Sequence, residues 1–138
     1  MSYGIYFSTG LIANIDYWKP LIMEYIEEAD GIRIDCWNNE EQIISNLKEL
    51  CNDLDLESNC NMHIFKFNIT EKAIKELVYN SIGHNGNIKW FSFFLIRNND
   101  IILSSSHYGK EFSIEGISKE EIQFVKYFIP KGSSVNIY

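Results

Sequence analysis

The chain has 138 residues, 46% of them apolar and 14% aromatic, and a net charge of −7. That length fits a single domain that buries its core without a disulfide or metal staple, and the composition excludes a disordered chain. The acidic balance argues against nucleic acid and anionic membranes as partners, and no apolar run reaches the roughly 18 residues of a membrane span.

In chain order, the start lacks a basic segment and a long apolar stretch, so Tyr3–Ser8 reads as a strand and not as part of a signal peptide. A helix follows, with Leu21, Ile22, Tyr25, Ile26 and Ala29 on one face, Pro20 in its first turn and Gly31 as its stop. From Ile32 to Trp37 the pattern alternates: Ile32, Ile34 and Cys36 face one way, Arg33, Asp35 and Trp37 the other, the period of a half-buried strand. Asn38 or Asn39 is placed to cap a second helix carrying Ile43, Ile44, Leu47, Leu50 and Cys51 inward. Met62–Ile69 is a third strand, and Thr70 caps a third helix with Ala73, Ile74, Leu77, Val78 and Ile82 inward.

Beyond the glycine turn at residues 83–87, a hairpin is expected with its corner at Asn98–Asn99, a pair that tolerates positive φ. Residues 110–114 add a further strand. Ser118 and Glu121 form a capping box opening a last helix over Ile122, Val125, Phe128 and Ile129, stopped by Pro130 and Gly132, and residues 134–138 close as a strand. The order predicts one α+β domain over residues 1–138, a central sheet at least partly antiparallel with about four helices packed on it. A doubly wound parallel sheet is the alternative, which the hairpin disfavours.

The three cysteines, Cys36, Cys51 and Cys60, are odd in number and form no CxxC pair. They read as reduced, partly buried thiols, and the expected location is the cytoplasm. His63, His84 and His107 form no metal-ligand or catalytic spacing. Neither Asp30–Glu41 nor the run Asp53, Asp55, Glu57 matches a calcium loop, since the first puts Ile34 at a ligand position and the second lacks its glycine. No catalytic residue, metal site or cofactor is assigned, and an activity as an enzyme is not expected.

Charge is uneven along the chain. Residues 1–69 carry twelve acids against four bases, residues 70–138 seven against eight. Seven acids fall between Glu24 and Glu41, with Arg33 the one base. Glu40 and Glu41 belong to a helix start, where negative charge is favourable. Glu27, Glu28 and Asp30 fall at a helix C-terminal end, where each carboxylate costs up to about 1 kcal/mol and no lysine at helical spacing offsets them. Locally unfavourable choices concentrate at functional surfaces. Glu24, Glu27, Glu28, Asp30 and Asp35, with Trp37 as an aromatic anchor, are therefore the expected contacts for a basic protein partner. The rival is a small enzyme or ligand-binding domain with a pocket among Tyr3, Phe7, Trp90, Phe91 and Phe93.

In size, acidity, single-domain build and Ile- and Asn-rich composition, the chain resembles bacterial immunity proteins of the contact-dependent growth inhibition type. No motif carries the likeness, so it transfers no residue role. It implies a protein that neutralises a basic toxin C-terminal domain by tight binding. Oligomeric state and the toxin's chemistry stay open.

Overall fold

The computed structural model describes residues 2–10, 14–51, 56–58 and 61–138. Eight strands form one sheet: β1 (Tyr3–Ser8), β2 (Gly31–Trp37), β3 (Leu56–Ser58), β4 (Met62–Asn68), β5 (Ser92–Arg97), β6 (Asp100–Ser106), β7 (Glu111–Ile117) and β8 (Ser134–Ile137). Their spatial order is β3-β4-β2-β5-β6-β7-β1-β8, and every neighbouring pair is antiparallel. The protein is α+β, and the parallel doubly wound alternative gives way to a sheet in which the meander β5–β6–β7 separates β2 from β1. The short edge strand β3 has no counterpart in the sequence reading.

Period-2 alternation sets the two faces of the sheet. One cross-strand row runs Phe65, Ile34, Phe93, Ser105, Phe112, Phe7, and the next Phe67, Ile32, Leu95, Leu103, Ile114, Ile5. All twelve are buried, and the eleven apolar ones join the inward residues of the helices in one core. Positions of opposite parity, such as Arg33, Phe94, Ser104, Ser113 and Tyr6, are only half-buried. The helices thus cover one face and leave the other partly open to water, as antiparallel sheets permit.

Helix α1 (Trp18–Tyr25) buries Trp18, Leu21, Ile22 and Tyr25. The Trp18 indole packs edge-on against Phe93 and donates from Nε1 to Ser105 Oγ over 2.9 Å. Tyr17, just before the helix, wedges between Phe7 and Phe112. The helix stops earlier than its apolar pattern suggests. Ile26–Glu28 tighten into a 3₁₀ turn and Ala29 is already extended, with φ −93° and ψ 152°. Asp30 N–H donates to Ile96 O over 2.8 Å, so the chain enters the sheet there and Gly31 opens β2 instead of stopping a helix.

The cap of α2 (Glu41–Leu50) is Glu40, not Asn38 or Asn39. The Asn38 side chain is engaged with His63 Nδ1 at 2.8 Å, and the tight turn from Trp37 to Glu40 delays the helix. Thr70 does cap α3 (Glu71–Ile74), accepting from Ala73 N–H over 3.0 Å, and the helix continues as a π-helical turn through Tyr79. The capping box of α4 (Lys119–Phe128) forms as expected. Ile129 adopts the extended conformation that Pro130 imposes on its predecessor.

Candidate partner-docking site

With one face of α1 committed to the core, Glu24 points outward, and Glu27 and Glu28 follow it in the 3₁₀ turn; all three are exposed. No basic residue occupies the last turn of α1 or the turn after it. The buried ring of Tyr25 connects this group to a second element, because its hydroxyl donates to Glu121 Oε2 over 3.0 Å. Burial pushes the Tyr25 phenol well above its ordinary value, helped by the bond to Glu121 and then by the charges of Glu121, Glu24 and Glu28. Three carboxylates from opposite ends of the chain therefore act on one phenol. Glu120 is exposed beside Glu121 in the same first turn of α4. Among the described residues, none of Glu24, Glu27, Glu28 or Glu120 forms an ion pair. The sequence reading missed Glu120 and Glu121 because it assigned them wholly to the cap of α4.

The other three expected contacts are placed differently. Asp30 is exposed, but its Oδ2 accepts the Asn98 N–H over 2.9 Å and fastens the β5–β6 corner. Its cost at a helix end is thereby offset. Asp35 is 7% exposed and is clasped by Arg33, so it is not the outward-facing carboxylate expected of it. Trp37 is exposed, yet it ends the seven-residue β2 whose start adjoins Asp30. At about 3.3 Å per residue those two lie roughly 20 Å apart. The six expected residues do not form one patch.

At the Trp37 end an aromatic group assembles. Trp37 and Phe91 ring centroids are 4.8 Å apart, and Phe91 meets His107 and Tyr108 edge-on, each at 5.4 Å. His107 and Tyr108 come from the β6–β7 loop, with φ of 53° and 58°, an uncommon left-handed conformation for such side chains. Gly109 follows at φ 88°, and a Cβ there would come within 2.6 Å of Ile88. Its carbonyl accepts the Tyr17 hydroxyl. Core contacts thus fix a loop that local preference disfavours. His107 Nδ1 pairs with Glu111, whose other oxygen accepts the Tyr6 hydroxyl over 2.6 Å. The sequence reading found no ligand or catalytic spacing at His107 and weighed Trp37 without these neighbours.

Comparison with family models, curated proteins and solved structures finds no match for this chain. Of the aromatics named in the rival reading, Phe7, Phe93 and Trp90 are core residues, and the Trp90 indole donates to Leu77 O over 2.8 Å. Asp53, Asp55 and Cys60 lie outside the described residues. Among the described residues no three His, Cys, Asp or Glu side chains converge as a metal site, and no helix is long and apolar enough to cross a membrane.

Proposed function

We propose that this protein is a small acidic binding domain that docks a basic partner protein and neutralises it, in the manner of the immunity proteins it resembles. The observation that carries this reading is that Tyr25 joins carboxylates of two elements: its hydroxyl donates to Glu121 of α4, the charges of Glu24 in α1 and Glu28 just after it act on the same phenol, and Glu27 and Glu120 are exposed next to them in the chain. Uncompensated like charges repel one another and weaken the free fold. They repay that cost when a cationic surface covers them, and they accelerate encounter by steering. The partner under this reading is a basic toxin domain, and the action is occlusion by binding, with no chemistry supplied by this chain.

The test is the association rate with a cognate basic toxin domain, measured by stopped flow from low salt to about 0.5 M, where surface charges are strongly screened. The rate should fall by roughly tenfold or more across that range. The triple substitution Glu24→Gln, Glu27→Gln, Glu28→Gln should flatten the dependence while melting at or above the wild type, because it removes charge from a negative helix end. A salt-indifferent rate would sink the proposal.

A further inference from the structure

We propose that the end of the sheet around Trp37 is a socket for an arginine side chain of the partner, a second contact distinct from the acidic face. An open cavity of about 510 Å³ lies there, lined by Trp37, Asn38, Asn39, Asn61 and Tyr108. Trp37 is 38% exposed at the end of its strand, and Phe91 props one side of the indole. Exposed indole against a rigid aromatic neighbour attracts a cation through the negative face of its π-system.

A carboxylate borders the cavity: Glu40 Oε1 accepts the backbone N–H of Trp37 over 2.9 Å. Glu40 also lies close to the Tyr108 hydroxyl, whose pKa is raised by burial first and then by the Glu40 charge. A carboxylate has about four lone-pair sites, so these neighbours leave Glu40 able to accept from an incoming group. None of the described lining residues carries positive charge. The cavity therefore offers π faces and the Asn39 amide, with the Glu40 carboxylate at its border. Guanidinium fits better than ammonium, since it is planar, stacks on aromatic rings, is less strongly hydrated and donates in a fork to carboxylate and amide oxygens. The socket is also preformed, because Gly109 packed against Ile88 and bonded by Tyr17 holds the left-handed loop that carries Tyr108.

This inference rests on the reading of a basic protein partner, but its test needs no partner. The capped tripeptide Gly-Arg-Gly is titrated against the ¹⁵N-labelled protein, following the Trp37 indole N–H, with matching peptides carrying citrulline or lysine in place of arginine. Citrulline keeps the shape and removes the charge. The arginine peptide should shift the Trp37 signal saturably, and the citrulline peptide should bind roughly five- to thirtyfold more weakly, the span from an exposed to a desolvated cation–π contact. Glu40→Gln, which retains an acceptor for the Trp37 N–H, should weaken the arginine peptide while leaving the citrulline peptide unchanged. Trp37→Ala should abolish the peptide-induced shifts of the residue 107–110 amides. The Glu24, Glu27, Glu28 triple variant should bind the peptide like the wild type, which separates a failure of this socket from a failure of the acidic face. No saturable shift with the arginine peptide would overturn the inference. Equal affinity for citrulline, the mark of a socket for neutral ligands, would overturn it too.

Discussion

Arg33 Nε and Nη2 donate to the two carboxylate oxygens of Asp35, each over 2.8 Å, although the residues stand two positions apart on one strand. Same-face neighbours along a strand usually lie side by side without closing a fork. Here the Arg33 guanidinium also lies over the Phe94 ring, 5.1 Å from its centroid, on the strand alongside. The clasp gives a nearly buried carboxylate its hydrogen-bond donors in the middle of the sheet's open face.

Breaking that clasp from one side should cost stability without touching partner binding. Asp35→Asn leaves the guanidinium facing a neutral amide, and Arg33→Met leaves a carboxylate at 7% exposure without its bidentate partner. Each should destabilise by about 1–3 kcal/mol in urea unfolding. The double substitution Arg33→Met, Asp35→Leu should cost less than the two singles added together, because both charges leave at once. Additive losses would show that the two residues act independently.

Glu121 has two jobs that a substitution pair can separate. Its Oε1 accepts the Ser118 N–H over 3.2 Å, and its Oε2 accepts the Tyr25 hydroxyl over 3.0 Å. Ser118→Ala removes the oxygen that accepts the Glu121 N–H and should cost about 1 kcal/mol of stability while leaving the charge intact. Glu121→Gln keeps a carbonyl acceptor, so it should cost less stability, and it should slow association with a basic partner at low salt. Equal association rates for the two variants would remove Glu121 from the acidic face.

The Trp18–Ser105 bond pins α1 to the middle of the sheet. Both residues are buried, at 1% and 0% exposure, so the indole N–H has no water to fall back on. Ser105→Ala should cost about 1–3 kcal/mol, the price of an unsatisfied buried donor. Ser105→Thr retains the hydroxyl and tests whether the loss comes from the bond or from the volume. A neutral Ser105→Ala result in urea unfolding would refute the pinning role.

Alkaline pH should unfold the protein progressively. Burial pushes the Cys36 thiol up from 9.0 to about 12, and the Tyr17 phenol up from 10.0 to about 12. Both groups are neutral when protonated, and the fold favours that form. Their contribution is complete below the unfolded values and is lost as pH rises through the folded ones. Melting temperature should therefore hold up to about pH 9 and decline from there toward 12. Cys36→Ala should lower the whole curve through the cavity it leaves and should delay the onset of the decline toward pH 10, where only the tyrosines begin to titrate. In the wild type at neutral pH, Cys36 should resist alkylation that reaches the half-buried Cys51.

The features read correctly from sequence were those written in short stretches of chain. Thr70 and the pair Ser118–Glu121 sit within three residues of the N–H groups they serve, and Asn98–Asn99 supply the positive φ of their corner, at 51° and 69°. Alternation in Ile32–Trp37 placed Ile32, Ile34 and Cys36 on the buried face. Where two local readings competed, the sequence misled: Asn38 looked like a cap, and its side chain went to His63.

Which face of a strand is apolar is a local property of the chain, because side-chain period is fixed by backbone geometry. Which strand lies beside it is not. The pattern of β2 is equally compatible with several neighbours, and only the packed sheet puts β5 against it and brings Phe91 and Tyr108 to Trp37. Charge follows the same division. The sequence by itself determined that the first half is acidic and that Glu27 and Glu28 sit where a helix does not favour them. Tertiary structure decided the rest: it paired Asp35 with Arg33, lent Asp30 to the Asn98 corner, and brought Glu121 to Tyr25 from 96 positions away. A carboxylate's role depends on the donors that come within about 3 Å of it, and at that range folding, not sequence distance, chooses the neighbours.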